Sequence, residues 1–418
     1  MYQFTGRLSA LRHRAYFRYW TGSFASVGAT QLQTMAQGWL LYELTESAIV
    51  LGYLGAAAAF PAIAMTLFGG AVADRLNKKH VLMATSMLVA VILAVLAWLD
   101  LYGLVMSWHV ILIAGLVSFI SGFDWPTRQA IFPALIERED MMSAVALNSI
   151  IWQSSRMIMP ALGGVLIALV DTWLVFALCS LGFMAMFFVV AGLPVNLAGS
   201  KAQKSTFHQV KEGLQFIFRE KVFFLYFSLT YAGMFFGMSH LQLMPAFAAL
   251  LGVAEQSYGM LLSATGIGSL LGTLLVGYFQ QSTQLAKIIL ACAAMSAVTV
   301  YGFAFTTASA NSMMFAYESS LLFVVLISMF SSMFMICSMT VLQLQVPDHL
   351  RGRVMGIYGI TYSLMPLGGL FAGWLASFSS PPVAIVIGAS VYLCIIAFIA
   401  VIQKQDGYLR VAAANTSE

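Results

Sequence analysis

The stretch GGAVADRLNKKH, residues 69–80, places a cluster of charged residues in one short turn. It contains Asp74, Arg75, Lys78 and Lys79, and it lies between two long segments that are almost entirely apolar. Polar turns between apolar segments of about 20 residues are typical of chains that cross a lipid bilayer repeatedly. The stretch therefore predicts a loop at a membrane surface.

The composition of the whole chain supports the same interpretation. Of 418 residues, 61% are hydrophobic and 9% are charged, and the mean hydropathy is +0.88. Soluble domains contain about 25% charged and 45–50% apolar residues. Backbone groups in lipid must be hydrogen-bonded internally, so helices and closed barrels are the possible folds. Long apolar runs without alternation exclude the barrel. We expect an integral membrane protein of the all-α class.

Twelve segments are long and apolar enough to cross a bilayer as helices. In chain order, spans 1 to 12 are predicted at 19–41, 47–71, 82–104, 109–131, 143–169, 173–193, 222–250, 257–280, 286–307, 317–344, 354–378 and 383–403. We predict two pseudo-symmetric bundles of six transmembrane helices.

The distribution of basic residues predicts the orientation. If the N-terminus is cytoplasmic, 19 of the 20 Lys and Arg residues lie on that side or at that end of a helix, Arg156 being the exception. The opposite loops carry acids such as Glu43, Glu46 and Asp171. This asymmetry follows the positive-inside rule with both termini in the cytoplasm. It also accounts for the net charge of +4 without nucleic acid. The expected location is a bacterial-type inner membrane.

A polar interruption near the middle of the chain separates the two sets of spans. The spacing from Thr206 to Gln209 is that of a capping box, and it opens an amphipathic stretch with Val210, Leu214 and Phe218 on one side. The predicted domains are therefore an N-terminal bundle at 1–194, a cytoplasmic linker with an amphipathic helix at 195–221, a C-terminal bundle at 222–403 and a tail at 404–418.

Two landmarks recur at nearly the same offset, about half the chain length. GAVADR begins at Gly70 after span 2, and GYFQQS begins at Gly277 after span 8, 207 positions later. MPALGG in span 5 contains Pro160, and MPLGG in span 11 contains Pro366, 206 positions later. A shared offset indicates a duplicated six-helix unit, an architecture that transporters use.

The charged turn resembles the signature of the major facilitator superfamily, G-x-[L/V]-a-D-R-x-G-[R/K]-[R/K]. Asn77 stands where glycine is usual, and asparagine tolerates a positive φ better than other non-glycine residues. The segments 28–63, 123–167 and 346–358 are similar to the subgroup that contains the enterobactin exporter and drug-efflux proteins. The resemblance implies a major facilitator fold and transport by alternating access.

The resemblance also implies that the turn is a conformational latch. Asp74 is placed to interact with a helix N-terminus, and Asp124 is a candidate partner for Arg75 as well as lying four residues before Arg128. The alternative is that these charges only anchor the topology. The candidate latch residues are Gly70, Asp74, Arg75, Lys78, Lys79, Asp124 and Arg128.

Proline and paired glycines in spans 5 and 11 predict kinks or close helix packing. The run around Pro160 is similar to the antiporter motif G-P-x-x-G-G, except that Met159 replaces the first glycine. A hinge and an exporter-specific role therefore both remain open. The candidate hinge residues are Pro160, Gly163, Gly164, Pro366, Gly368 and Gly369.

Arg156 is the basic residue in the middle of a span, where a charge costs roughly 2.5–3.5 kcal/mol on insertion scales. It must face a cavity, the protein interior or a partner. It shares a helix face with Asn148 and Trp152, so either it binds an anionic or carbonyl-rich ligand or it is structural. The other candidate cavity residues are Thr30, Gln33 and Gln37 in span 1, Tyr231, Phe235 and Gln242 in span 7, and Tyr358 and Tyr362 in span 11.

Proton coupling is expected from the family resemblance more than from particular residues. Candidate proton-binding residues are Asp124, His240 and Glu318, and span 1 lacks the acid that drug antiporters of the superfamily often carry. No phosphate-binding loop of the form G-x-x-x-x-G-K-[S/T] is present, which argues against ATP coupling. No metal-type spacing of His and Cys and no catalytic constellation is present, so we expect neither cofactor, metal nor enzyme activity.

The sequence therefore predicts a proton-linked exporter of a small amphipathic molecule, either drug-like or a siderophore. The alternative on the same scaffold is a lysolipid flippase or an importer of an anionic solute. Remote alternatives are a membrane enzyme or a non-transporting sensor. The expected partners are a small-molecule substrate, protons and membrane lipid, with no nucleic acid, and we expect a monomer.

Overall fold

The computed structural model describes residues 8–73, 76–194, 206–279 and 285–406. These residues are helical almost throughout, and none of them forms a strand. The α-helices are α1 Arg14–Thr45, α2 Ala48–Ala73, α3 Lys78–Leu101, α4 Ser107–Ile131, α5 Met141–Leu169, α6 Thr172–Ala191, α7 Thr206–Arg219, α8 Lys221–Ala232, α9 Met244–Leu250, α10 Glu255–Val276, α11 Leu285–Ala308, α12 Ala316–Gln345, α13 Asp348–Tyr358, α14 Thr361–Phe378 and α15 Pro381–Asp406.

Eleven helical segments of the described chain are long and apolar enough to cross a membrane, and they coincide with predicted spans 2 to 12. Predicted span 1 corresponds to α1, which is 32 residues long. This helix is less apolar than those eleven segments because Thr30, Gln33, Thr34 and Gln37 interrupt its hydrophobic sequence. The all-α membrane fold is thus confirmed, with one helix of unusual polarity.

Two of the predicted spans are wrong as continuous helices. Span 7 is divided into α8, a π-helical turn at Gly233–Gly237, a 3₁₀ turn at Ser239–Leu241, and α9. Glycine has low helix propensity, and Pro245 in the first turn of α9 has no N–H to donate to a preceding carbonyl. Span 11 is divided into α13 and α14. Short breaks of this kind leave backbone groups to be satisfied inside the protein.

The loop before α3 ends at Asn77. Asn77 has φ −66° and ψ 114°, so it does not adopt the positive φ that asparagine tolerates. Its side-chain oxygen accepts a hydrogen bond from the Lys79 N–H at 3.0 Å. Asparagine is a favoured N-cap residue because it satisfies a backbone donor that the helix itself cannot pair. Asn77 therefore starts α3 as its N-cap.

The chain divides into two compact units that each include a piece from the opposite half of the sequence. Unit 1 comprises Met1–Glu46, Ala57–Thr206 and Ala254–Ser263, and unit 2 comprises Ser47–Ala56, Phe207–Val253 and Ala264–Glu418. The start of α2 thus belongs to unit 2, and the start of α10 belongs to unit 1. The predicted domain boundaries at 194, 221 and 403 place α2 wholly in the N-terminal bundle and α10 wholly in the C-terminal bundle, unlike the two units. The division into two six-helix bundles remains a prediction.

Unit 1 is built around α6, which packs against α1 and α3. Small residues permit the close approach: Gly182 of α6 lies against the carbonyl oxygen of Ala25 in α1, where a Cβ would be only 2.9 Å away. The buried Cys179 thiol donates to the Ala29 carbonyl at 3.2 Å, and the Ser180 hydroxyl donates to the Ala90 carbonyl at 2.7 Å. The side of α6 that faces its neighbours is thus fixed by packing and by hydrogen bonds.

Unit 2 has a corresponding core, in which α11 packs against α12 and α15. Phe247 of α9 and Phe303 of α11 are fully buried and meet with ring centroids 4.9 Å apart. The amphipathic α7 joins this core through Ile217, which is buried among residues of α8, α13 and α15. The predicted linker helix is therefore present and packs against unit 2.

Candidate functional site

A buried ion pair occupies the part of unit 1 where α3 and α4 meet. Arg128 Nε donates to the carboxylate of Asp124, one helical turn earlier, and Thr85 Oγ1 donates to the same carboxylate at 3.1 Å. Arg128 is only 9% exposed, and its Nη1 has no hydrogen-bond partner among the described residues. A buried guanidinium with an unpaired N–H is a place where an additional acceptor would be stabilised.

The structure describes only part of the predicted latch. Asp74 and Arg75 lie outside the described residues, as do the surroundings of Gly70, which is in α2. Lys78 begins α3, and Lys79 Nζ donates to the Leu193 carbonyl at 2.7 Å. The pairing of Asp124 with Arg128 agrees with their spacing, whereas the pairing of Asp124 with Arg75 stays a prediction.

Polar residues of α1 form a buried pair. Gln33 Nε2 donates to Gln37 Oε1 at 3.3 Å, and both side chains are 4% exposed. Gln33 Oε1 and Gln37 Nε2 have no further partner in the described part of the chain. One amide pair thus keeps one free acceptor and one free donor. Thr30 differs, because its hydroxyl donates to the Ser26 carbonyl of its own helix at 3.0 Å.

The three predicted residues of α5 lie on one face, with increasing exposure along the helix. Asn148 and Trp152 are half-buried, whereas Arg156 is exposed. Trp152 contacts Trp125 of α4 edge to face, with ring centroids 5.4 Å apart. An arginine in the middle of a span requires water, a ligand or a protein partner, since lipid would not solvate it.

Close packing surrounds the proline of α5. A side chain at Gly259 of α10 would clash with the Pro160 carbonyl oxygen, and a side chain at Gly164 would clash with the Glu255 carbonyl oxygen. The Ala161 N–H donates to Ser263 Oγ at 2.9 Å. Gly163 lies against Leu32 and Met35 of α1, 3.0 Å from where its Cβ would be. These contacts assign the α5 glycines to helix packing within unit 1.

The corresponding residues of α14 contact the start of α2 within unit 2. A Cβ at Gly55 would lie 2.5 Å from the Pro366 carbonyl oxygen, and Gly369 accommodates the side chain of Gln242. Gln242 Nε2 donates to the Leu51 carbonyl at 3.1 Å. Gly368 lies against the carbonyl of Phe235. Gln242, predicted in the cavity, is here engaged in holding helices together.

The predicted aromatic residues of unit 2 fall into buried and exposed groups. Tyr231 is half-buried and donates to the Ile357 carbonyl at 2.9 Å, and Tyr358 is 2% exposed. Tyr362, four residues later, is 60% exposed. Phe235 stacks near Phe371, with ring centroids 5.7 Å apart. Of these residues, Tyr358 is buried, Tyr231 and Phe235 are half-buried, and Tyr362 is exposed.

The remaining titratable candidates are in contrasting surroundings. His240 is fully buried, its Nδ1 lies 3.2 Å from the Gly237 carbonyl oxygen, and its Nε2 has no partner among the described residues. Its ring packs near Phe303, with ring centroids 5.9 Å apart. Glu318 is exposed in the first turn of α12. Only His240 is therefore sequestered from solvent.

Several residues of the site were not predicted from the sequence. Tyr258 of α10 is buried, donates to the Met35 carbonyl at 3.2 Å, and lies 5.1 Å from the Trp39 ring centroid. His13 lies 2.7 Å from Asp140 and connects the beginning of the chain to the start of α5. All these contacts join residues more than 100 positions apart, and no local pattern in one sequence reveals them. The aromatic character of Trp39 and Tyr258 was the only available signal.

Most of the chain matches one protein family. Residues 5–412 match the transmembrane secretion effector family of the major facilitator superfamily. The chain belongs to this family. The match extends over nearly the full length, so the resemblance of the charged turn and the separated segments is confirmed.

Family members with assigned roles are similar along most of their length. The staphyloferrin A transporter of Staphylococcus aureus is 25% identical over 369 residues, covering 84% of this chain and 87% of the relative. The multidrug efflux pump Tap of Mycolicibacterium fortuitum is 25% identical over 354 residues, covering 81% and 83%. A crystal structure of the nucleoside transporter NupG has a TM-score of 0.76 at 14% identity, covering 93% and 99%. This likeness shows the fold.

The secretion effector family thus establishes the class of the protein. It is a multi-pass membrane transporter of the major facilitator superfamily, and it is not an enzyme. Transporters of this superfamily carry small-molecule substrates and typically work as single chains.

Proposed function

We propose that this chain is a proton-linked exporter of a small amphipathic molecule, either drug-like or a siderophore, that works by alternating access in a bacterial inner membrane with both termini in the cytoplasm. The similarity to a multidrug efflux pump and to a siderophore transporter supports export of such a compound. The aromatic and hydrogen-bonding side chains among the candidate cavity residues suit an amphipathic substrate.

The observation that carries the proposal is the exposure of Arg156 in the middle of α5. Arginine remains protonated, and its guanidinium requires water, an acceptor or an anion. We assign it to the recognition of a carboxylate or carbonyl group on the substrate. Trp152 and Asn148 on the same face offer an aromatic surface and an amide for the rest of the molecule.

The other substrate contacts are assigned within each unit. In unit 1, the unpaired atoms of Gln33 and Gln37 provide one acceptor and one donor, with Thr30 beside them. In unit 2, Tyr231, Phe235 and Tyr362 provide an aromatic surface. Tyr358 and Gln242 are engaged by packing and by the Leu51 carbonyl, so we assign them a structural role.

Proton coupling is assigned to the carboxylate of Asp124. Its carboxylate accepts from the Arg128 guanidinium and from the Thr85 hydroxyl, in the polar network where α3 and α4 meet. His240 and Glu318 are the other candidates. The charged turn at 69–80 is proposed to act as the latch that weights the two conformations.

The test is a comparison of metabolites between a strain lacking the gene and its parent, measured in cells and in the medium. An exporter predicts a compound that rises in the cells and falls in the medium of the deletion strain. Expression of the wild-type chain should restore the parental distribution, and an uncoupler should prevent the restoration. A compound that falls in the cells and remains in the medium would instead indicate an importer.

The importer or lysolipid flippase remains the second candidate because Arg156 would also bind a phosphate or carboxylate on such a substrate. A flippase predicts that the compound changing in the deletion strain is a lysophospholipid in the membrane fraction. Absence of any such change in the lipid extract would exclude it.

A further inference from the structure

The amphipathic helix α7 presents one face to the core of unit 2 and leaves the opposite face exposed. On the inner face, Glu212 forms an ion pair with Arg353 of α13, and Gly213 lies against Ile357, 2.8 Å from where its Cβ would be. Ile217 on the same face is 4% exposed. These contacts fix the rotation of the helix about its axis, and they therefore determine which side chains form its outer face.

The outer face combines apolar and basic side chains around a shallow groove of about 520 Å³. Leu214 and Phe218 are exposed along its centre, and Lys211 and Arg219 are exposed beside them. The groove is lined by Val210, Lys211, Leu214, Gln215, Phe218 and Arg219. No acidic side chain lines the groove, so its charge is entirely positive.

The groove is continuous with the lipid-facing surface of a membrane span. Only Glu220 separates α7 from α8, which begins the candidate span Lys221–Leu241. Phe218 contacts Phe224 across this corner, with ring centroids 5.8 Å apart, and Phe224 is 43% exposed. An apolar strip that begins on a span and continues along the next helix lies at the boundary between acyl chains and headgroups.

We propose that this outer face of α7 is a binding site for anionic phospholipid. Leu214 and Phe218 insert at the level of the upper acyl chains, while Lys211 and Arg219 bind the phosphates of neighbouring headgroups. Basic residues beside an apolar surface at a membrane interface attract anionic lipids through this combination of forces. The proposal concerns the linker helix and does not depend on the substrate.

The test uses the full-length chain in nanodiscs of phosphatidylglycerol or phosphatidylcholine, with amide hydrogen exchange measured along residues 206–219. The wild-type chain is expected to show slower exchange in α7 in the anionic lipid. Lys211→Gln with Arg219→Gln should remove the difference between the two lipids. Raising the salt concentration should reduce the wild-type difference, since the attraction is electrostatic.

Titration of the detergent-solubilised chain with phosphatidylglycerol, followed by native mass spectrometry, measures the affinity for the anionic lipid. Each basic residue near a membrane surface contributes about fivefold in affinity, so the double variant should bind roughly 30-fold more weakly. A matched control, Arg14→Gln with Lys287→Gln, removes two exposed positive charges elsewhere and should bind normally.

A second pair of substitutions separates the apolar contribution from the charge. Leu214→Ser with Phe218→Ser should weaken the protection of α7 in both lipids while the preference for the anionic lipid remains. Equal protection of wild-type α7 in both lipids, or a lipid preference that persists in Lys211→Gln with Arg219→Gln, would overturn the proposal. Either result would point to a protein as the occupant of this face.

Discussion

At the scale of single residues, Arg156 is the residue on which the proposed function depends most. An arginine in the middle of a span is tolerated where it meets water, a ligand or a protein partner, and Arg156 of α5 is exposed. The sequence identified the residue from its isolation among apolar neighbours. Its exposure, in contrast, depends on how α5 is rotated against α1 and α10, which no local pattern specifies.

Arg156→Gln is expected to weaken transport because it removes a charged hydrogen-bond donor to the substrate. Hydrogen bonds to charged groups contribute about 1.5–3 kcal/mol, so the KM for the exported compound should rise roughly 10-fold to 150-fold. Arg156→Lys should retain part of the activity, since the positive charge remains. Arg138→Gln, which removes an exposed charge before α5, is the matched control. Wild-type KM in Arg156→Gln would contradict a role in recognition.

The buried pair of Asp124 and Arg128 leads to a prediction on stability. Asp124→Asn leaves the buried guanidinium without its counter-ion, which should lower the free energy of unfolding by about 3–5 kcal/mol. The double substitution Asp124→Leu with Arg128→Leu should be less damaging because no charge remains buried. Thermal unfolding of the purified chains in one detergent measures both effects. Equal loss in the single and double variants would contradict the assignment of the effect to a buried, unpaired charge.

The extent to which this site was predictable differs from residue to residue. The spacing of Asp124 and Arg128 predicts their contact within one helix. Thr85, which completes the network, comes from a different helix 39 positions away and left no signal in the sequence. Gln242 was expected in the cavity because of its polarity, yet its amide holds the Leu51 carbonyl. Polarity alone does not distinguish a ligand contact from a contact between helices.

At the scale of helices, the glycines of spans 5 and 11 are explained by neighbouring backbones. Gly164 lies against Glu255 of α10, and Gly55 of α2 lies against Pro366 of α14. Small residues at such crossings permit van der Waals packing that lipid cannot replace. The exporter-motif similarity of MPALGG is therefore not needed to account for these glycines, although it remains compatible with them.

Gly259→Leu is expected to destabilise the chain, because the added side chain would collide with the Pro160 carbonyl and separate α10 from α5. Overpacking of this kind costs typically 1–3 kcal/mol, measured as a lower midpoint of thermal unfolding in detergent. The control is Gly356→Ala, where a Cβ would have no neighbour within 4 Å. A normal midpoint in Gly259→Leu would mean that the crossing is not as close as the structure has it.

The breaks within the helices show why the positions of the spans could be predicted more reliably than the interruptions inside them. Apolar length alone located spans 2 to 12, since lipid requires it. The π-helical turn at Gly233–Gly237 depends instead on packing, because Gly233 lies against the hydroxyl of Tyr392 at the other end of the sequence. Glycines and Pro245 signalled weak helical preference there, without indicating where the helix would divide.

At the scale of the whole molecule, the repeat in the sequence and the units of the structure carry different information. The shared offset of about 206 positions predicts two related halves. The compact units exchange the first residues of α2 and α10, which sequence spacing could not indicate. The exchanged segments are equivalent in the repeat, since α2 and α10 correspond to spans 2 and 8. The duplication itself stays a prediction from the sequence.

Transport of the identified compound in everted membrane vesicles is the most direct test of proton-linked export. With an imposed pH gradient, acid inside, vesicles containing the wild-type chain should accumulate the compound that builds up in cells of the deletion strain. Addition of an uncoupler should release it, and vesicles with Asp124→Asn should accumulate little, provided the variant inserts normally. Loss of the compound from the vesicles, or accumulation that survives the uncoupler, would contradict the account.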